Sequence, residues 1–515
     1  MASTIYGYMT RTGPRATAVG LSLLLLVLAG CPTGDDPVPE VRTGGIVLDL
    51  TLAQKTGNDL SIPIDLAGVI HGGYRDEHAG EYVLLKEMSS LWIQRDFSWN
   101  RVQPELSPDH ERYDDFDWIK DHWELDWLDE YVARANENGR LVMGMLLYDT
   151  PWIHRMHPRP DYEPGDPLYG IHADNPGRRR EVNAAQIDLF VEYAKKLAER
   201  YNGESGHGKV HAWLIWNEPT EQPRFWTGNR EDFMEMTRRT AQAIKPLTDA
   251  KIVGGVFSPR VHADRGWVDE LWETGAHEFL DGIGFHPYGP GHNGSLSSFE
   301  LFKSYLVQND QEHGTDFANN IWANEVGFPT VGQGTQADNG WEGQAVQHEN
   351  NMPESVAKTV AVLAAAGTRN LMWYQMFDDR QKRDGFGLVW APPSTKPEAW
   401  ERKGGYWGFA LTAGMLPGMK LLETDFFPGG DGPNRFRALL FAEEGGKGRL
   451  LLAWNDSPTE TRELTVRLGA DTANRKLWSV LDGTGADLQA ESTYTFYPVN
   501  RSERTMVFIT WDEEN

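Results

Sequence analysis

His211-Ala212-Trp213-Leu214-Ile215-Trp216-Asn217-Glu218-Pro219 is a short apolar run that ends on an amide, a carboxylate and a proline. An uninterrupted apolar run of this length reads as a strand buried on both faces, and Pro219 stops it. Ile321-Trp322-Ala323-Asn324-Glu325-Val326-Gly327 has the same build and the same ending. Working outward, comparable runs cover Leu66–His71, Leu91–Phe97, Leu141–Tyr148, Ile252–Phe257, Gly282–His286 and Leu371–Met376. Helical periods separate them, most clearly over Asp115–Asn138, Asn183–Tyr201, Glu231–Lys245 and Glu354–Ala366. In the second of these, Ile187, Val191, Ala194, Leu197 and Tyr201 form one stripe, and Asn183 with Gln186 has the spacing of a capping box. Doubly buried strands alternating with helices predict a parallel sheet closed on itself, a (β/α)8 TIM barrel.

Beyond about Met419 the apolar period becomes two, in Leu464-Thr465-Val466-Arg467-Leu468, Leu477–Leu481, Tyr494–Val499 and Met506–Trp511. That alternation predicts a C-terminal antiparallel β-sandwich over 419–515, packed on a barrel over 45–418. At the other end, residues 1–30 carry two arginines, no acid and an apolar run from Ala16 to Gly30. At about 15 residues the run is shorter than the ~20 that span a bilayer, so it reads as an export signal. Residues 31–44, rich in Pro, Gly and Asp, read as a flexible tether.

The chain has 515 residues, 49 Lys plus Arg against 75 Asp plus Glu, and a formal charge of −26. Nucleic acid is a poor partner for such a surface, and neutral substrates suit it better than anionic polymers. A single cysteine, Cys31, rules out an intrachain disulfide. There is no HExxH, no cysteine cluster and no G-x-S-x-G after a strand, so metal-dependent and serine hydrolase readings find no support and no cofactor is expected.

In a barrel of this type, polar residues that close an apolar strand face the mouth. Glu218 and Glu325 do so on strands four and seven, each preceded by an asparagine. Two carboxyl groups at one mouth are what hydrolysis of a glycosidic bond needs, one to protonate the departing oxygen and one to meet the developing positive charge. Either glutamate alone has a plainer reading, as an ion-pair partner or a helix cap.

The whole barrel resembles the clan A glycoside hydrolases, retaining (β/α)8 enzymes. Trp216-Asn217-Glu218-Pro219 is similar to their acid/base signature, and Trp322-Ala323-Asn324-Glu325-Val326-Gly327 to their nucleophile strand. The resemblance implies that Glu218 is the acid/base, Glu325 the nucleophile and Asn217 the amide that holds the sugar 2-hydroxyl. It further implies that Arg95 keeps the nucleophile ionised, that His286 and Tyr288 of His286-Pro287-Tyr288 support it, and that Trp373 is the floor beneath the sugar. Trp152, Trp226 and His71, at the end of the first strand, complete the substrate-binding candidates. For Arg95 a salt bridge, and for His286 a buried hydrogen-bonded ring, are the plainer alternatives.

The Tyr148-Asp149-Thr150-Pro151-Trp152 turn, Phe225-Trp226 and the sandwich look most like family 39, the β-xylosidase and α-iduronidase group. Family 5 is the near competitor, weakened by Tyr148 and Asp149 where a histidine would stand. Asn324 stands where many members have Thr. Leu28-Ala29-Gly30-Cys31 resembles the bacterial lipoprotein box, which implies a lipid on Cys31 and a place in the cell envelope, with Pro32 favouring outward export; an ordinary secretory signal is the alternative. The Asp149–Val182 segment, with five prolines after Pro151 and Arg178-Arg179-Arg180, is expected to shape the groove. A glycan-binding lipoprotein on a degenerate barrel is the non-enzymatic reading, and the presence of both glutamates speaks against it.

Overall fold

Eight parallel strands close into a barrel in the computed structural model, which describes residues 46–50, 60–70, 79–157, 182–331, 347–348, 352–378, 385–390, 400–424, 436–456, 464–469, 471–489, 493–496 and 506–513. All of these lie within the unit Val41–Asn515. The leader, the whole tether with Cys31, His71 and residues 158–181 of the long loop lie outside the described residues.

The barrel strands, first to eighth, are Ala67–Ile70, Trp92–Ser98, Leu141–Leu147, Ala212–Ile215, Lys251–Phe257, Gly282–Phe285, Ile321–Val326 and Asn370–Trp373. Each expected strand is present. Side chains alternate across each strand, so one set fills the barrel and the other meets the helices. Trp92, Met143, Met145, Leu214, Val253, Trp322 and Met372 form the interior plug. Their neighbours Ile93, Val142, Trp213, Ile252, Ile321 and Leu371 join the outer core with the helices. Each such side chain stabilises the fold by about 1.5–3 kcal/mol when fully buried, which is why both sets are apolar.

The helix over Asn183–Tyr201 begins only at Ile187, because Asn183 instead makes a turn. Its Oδ1 accepts from the Ala185 amide at 3.0 Å and its own amide donates to Gln186 Oε1 at 3.0 Å. The segment Asp115–Asn138 is two helices, Phe116–Asp121 and Asp126–Glu137. His122 is extended there, stacks on Trp118 at 4.3 Å, and is followed by a Glu124 amide that donates to the Val102 carbonyl.

The second architecture is a six-stranded antiparallel sheet ordered 419–424, 436–443, 448–455, 506–513, 472–478, 485–487, beside a three-stranded sheet ordered 46–49, 464–467, 493–496. Ile46–Asp49 pairs parallel with Leu464–Arg467, so this N-terminal segment, read from sequence as the start of the barrel, is a strand of the sandwich. Ala438, Leu440, Leu451, Ala453 and Ile509 meet Leu48, Val466 and Tyr494 between the sheets. On the opposite face Leu439, Phe441, Leu450, Leu452, Trp454 and Phe508 merge with the barrel core.

Candidate active site

Backbone irregularities aim the two glutamates. At the end of strand four, Trp216 and Glu218 have φ of 68° and 43°, a left-handed conformation uncommon outside glycine. The Trp216 indole turns outward among Phe190, Tyr148 and Trp226 and donates to the Phe225 carbonyl at 2.7 Å. The Glu218 amide donates to the Val256 carbonyl at 2.9 Å. On strand seven, Ala323 and Val326 pair with Leu371 and Trp373, so one extra residue is inserted between them. Such a bulge re-aims side chains, and here it brings both Asn324 and Glu325 to the strand-six side. Gly284 makes room for Asn324, since a Cβ there would lie 2.9 Å from Asn324 Oδ1.

One buried imidazole joins the two carboxylates. His286 Nδ1 is 2.7 Å from Glu218 Oε1 and 4.0 Å from Glu325 Oε2. One oxygen of each glutamate and a ring nitrogen of His286 all lie within 4.8 Å of one another. Tyr288 donates its hydroxyl to Glu325 Oε1 at 2.7 Å, Asn324 Nδ2 lies 3.0 Å from His286 Nε2, and Asn217 Nδ2 donates to Tyr148 Oη at 3.3 Å. The glutamate side chains are 11% and 19% exposed, enough for a ligand to reach and too little for water to screen them fully.

Burial pushes the Glu325 carboxyl up to about 6; Glu218 and Asp96 add to the rise, while His286 and the Tyr288 hydrogen bond oppose it. Burial alone would discharge His286, yet the carboxylates of Glu325 and Glu218 outweigh it and raise its pKa. Burial and Glu325 push the Tyr288 phenol well above its ordinary value, so it stays a donor. Glu218, His286 and Glu325 could gather round a cation only by giving up the 2.7 Å bond between His286 and Glu218, because the other ring nitrogen faces Asn324.

Glu218, Glu325, His286, Tyr288 and Asn217 therefore meet at one mouth. Four other candidates do not. On strand two, Trp92 fills the barrel and Gln94 and Asp96 follow it on the same face, which sends Arg95 outward to lie 5.4 Å from the Tyr131 ring on the helix Asp126–Glu137. The group within electrostatic reach of Glu325 is the exposed acid Asp96, where a guanidinium was expected. On strand eight, Met372 points inward, so Trp373 is fully buried against Phe328 at 5.1 Å and donates to the Phe386 carbonyl. Trp152 packs edge-on to Trp99, and Trp226 packs on Trp216 while its indole nitrogen donates to the Asn229 carbonyl. Both are core residues, 1% and 0% exposed.

Among the described residues, partly exposed aromatic rings near the mouth also come from positions outside the candidate set. Tyr148 lies parallel to Phe225 at 6.1 Å, beside Asn217, and both are partly exposed. Tyr374, one residue past Trp373, is also partly exposed and meets Phe386, which in turn meets Tyr288. Counting two residues on from the inward-facing Met372 would have found it.

No protein-family model matches the chain. It is 34% identical over 85 residues to a β-xylosidase of Caldicellulosiruptor saccharolyticus, and the match spans 16% of each protein. Among solved structures, a family 39 glycoside hydrolase from Bacteroides cellulosilyticus WH2 is similar with a TM-score of 0.61 at 15% identity, over 88% of this chain and 81% of that one. A glucosidase from Croceicoccus marinus is similar with a TM-score of 0.59 at 10% identity, over 91% and 98%. A family 39 enzyme from Xanthomonas axonopodis pv. citri gives 0.53 at 11% identity, over 93% and 98%. At these identities the shared property is the fold, a barrel with its accompanying sheets.

Proposed function

We propose that this protein is a retaining glycoside hydrolase that cleaves β-glycosidic bonds of a neutral oligo- or polysaccharide by double displacement. The observation that carries the reading is the Glu218–His286–Glu325 arrangement, with carboxylate oxygens within 4.8 Å of each other. Retaining pairs stand about 5–5.5 Å apart and inverting pairs ~6.5–9.5 Å, the larger gap being needed to admit a water. The barrel shared with family 39 enzymes and the short match to a β-xylosidase support an assignment near family 39.

In the first step a Glu325 oxygen bonds to the anomeric carbon as the bond to the leaving oxygen breaks, and the Glu218 proton passes to that oxygen. In the second, Glu218 takes a proton from water, the water oxygen displaces Glu325, and the sugar leaves with its configuration retained. The Tyr288 hydroxyl holds Glu325 Oε1, leaving Oε2 to attack. His286 keeps Glu218 on the Glu325 side, and Asn217 stands ready for a sugar hydroxyl. Conversion of Glu325 to an ester removes a negative charge next to Glu218, which favours its switch from acid to base. Tyr148, Phe225 and Tyr374 offer faces on which the apolar side of a sugar ring stacks. On sequence alone, Cys31 is proposed as a lipid anchor in the cell envelope, tested by labelling with a palmitate analogue and by its loss in Cys31→Ser.

The test is a panel of aryl β-glycosides of xylo, gluco, manno and galacto configuration, followed by Glu218→Ala with azide. Release of a glycosyl azide of retained configuration is expected. Sugar binding without release from any member would overturn the reading in favour of a binding protein.

A further inference from the structure

The helix Gly291–His313, which begins three residues after Tyr288, is tied by its first turn to the C-terminal sheet. Asp456 immediately follows the strand Gly448–Asn455. Its Oδ2 accepts from His292 Nε2 at 2.8 Å, Asn293 Nδ2 at 3.0 Å and Trp454 Nε1 at 3.1 Å. Its Oδ1 faces Lys358 Nζ at 3.8 Å, and Lys358 lies 3.2 Å from Glu354 Oε2. Glu354 Oε1 accepts from the Met506 amide, at the start of the strand Met506–Glu513. The Asp456, His292 and Lys358 side chains are each no more than 13% exposed. Burial pushes the Asp456 carboxyl up, but the hydrogen bonds from His292 and Asn293 and the nearby Lys358 charge outweigh it and hold it at about 2, so it is ionised and strongly bonded, while burial lowers the pKa of His292, which donates as a neutral ring.

His292 and Asn293 stand four and five residues after Tyr288, and the turn between them has no slack. A methyl group on Gly289 would lie 2.4 Å from the Gly294 carbonyl carbon, and one on Gly294 would lie 2.4 Å from the Pro290 ring. Glycine at both positions lets the turn close on itself, so a force applied at His292 is passed to Tyr288. The His292 ring also packs edge-on to Trp454 at 5.8 Å, which leaves it little freedom of its own.

We infer that Asp456 is a positioning residue: by gripping His292 and Asn293 it sets where Tyr288 and His286 stand against Glu325 and Glu218. The sandwich thereby takes part in building the site across the boundary between the two architectures. The inference rests on the glycosidase reading for its effect on turnover and on the loop geometry for its effect on His286.

Asp456→Asn, His292→Asn and Asn293→Ala test it in the full chain, with kcat, KM, thermal midpoint and the NMR titration of the His286 ring, identified by its loss in His286→Gln. The expected result for Asp456→Asn is a fall in kcat of about tenfold, the scale of a sub-ångström misplacement, with KM within about twofold and a displaced His286 titration. Wild-type kcat and His286 titration in folded variants, whatever their thermal midpoint, would reduce the tie to a stability contact and overturn the inference. Should Asp456→Asn not fold, Asn293→Ala, which removes a single donor, decides by the same criteria. Should the wild-type protein hydrolyse no glycoside, the glycosidase reading fails separately, and the His286 titration alone decides the tie.

Discussion

Tyr288 donates its hydroxyl to Glu325 Oε1 across 2.7 Å, linking the ends of barrel strands six and seven. The bond lowers the Glu325 pKa against the upward push of burial. Tyr288→Phe removes it and leaves the ring packing. The acidic limb of the kcat/KM profile, set by ionisation of Glu325, is expected to move to higher pH, and kcat to fall about 100-fold as for loss of one aligned donor. A profile that stays in place would contradict the assignment of that limb to Glu325.

Glu325 carries an ionisation penalty in the folded protein. Its pKa is about 6 against an ordinary 4.5, so the folded state holds the proton more tightly than the unfolded chain. The penalty is absent well below pH 4.5, grows as pH rises toward 6 and is constant above. At about 1.4 kcal/mol per pKa unit it amounts to about 2 kcal/mol. Glu325→Gln should therefore be more stable than wild type in urea unfolding at pH 7, with the advantage shrinking as pH falls toward 4.5. Equal stabilities at pH 7 would count against a penalised carboxylate.

His286 has the opposite sign. Its folded pKa is raised, so its charged form contributes stability that is fully present below about 6.5 and lost as pH rises through the folded value. The stability difference between wild type and His286→Gln should accordingly narrow as pH rises above neutrality. A gap independent of pH would show that the ring is neutral throughout.

Asp96 and Arg95 separate the mouth from the helix layer. Asp96→Asn removes a negative charge that raises the Glu325 pKa, so the acidic limb should move to lower pH. Arg95→Met, changed beside Tyr131, should cost stability and leave the limb where it is. The reverse pattern would restore Arg95 to the site.

The aromatic residues divide in the same way. Trp152→Phe should lower the thermal midpoint and leave KM within about twofold, because the indole is buried against Trp99. Phe225→Ala and Tyr374→Ala should raise KM about fivefold, a stacking contact being worth about 1 kcal/mol. Unchanged KM in both would move the sugar elsewhere.

What the sequence disclosed, and what it hid, follows from side-chain alternation. The barrel strands are legible because burial on both faces makes most of them near-continuous apolar runs, Trp92–Ser98 with Gln94, Arg95 and Asp96 being the exception, and Glu218 and Glu325 are legible because a carboxylate closing such a run is costly without a purpose. Arg95 and Trp373 each stand one residue away from the position that faces the mouth, because Gln94-Arg95-Asp96 and Leu371-Met372-Trp373 are each uniform in polarity and give no alternation from which to count. The bulge at Asn324–Glu325 and the left-handed Trp216 and Glu218 reverse the alternation at the very positions that matter, and no composition signal marks them. Phe436–Glu443 and Gly448–Asn455 show no period of two because one face meets the second sheet and the other meets the barrel. Ile46–Asp49 escaped because its partner, Leu464–Arg467, lies at the far end of the chain.

Covalent trapping tests the central claim most directly. Incubation with 2-deoxy-2-fluoro-β-glycosides of the configuration found active, followed by peptide mass mapping, should place one sugar on the peptide containing Glu325, as an ester, with loss of turnover. Active enzyme that gains no sugar on Glu325 and first releases the inverted anomer would contradict it.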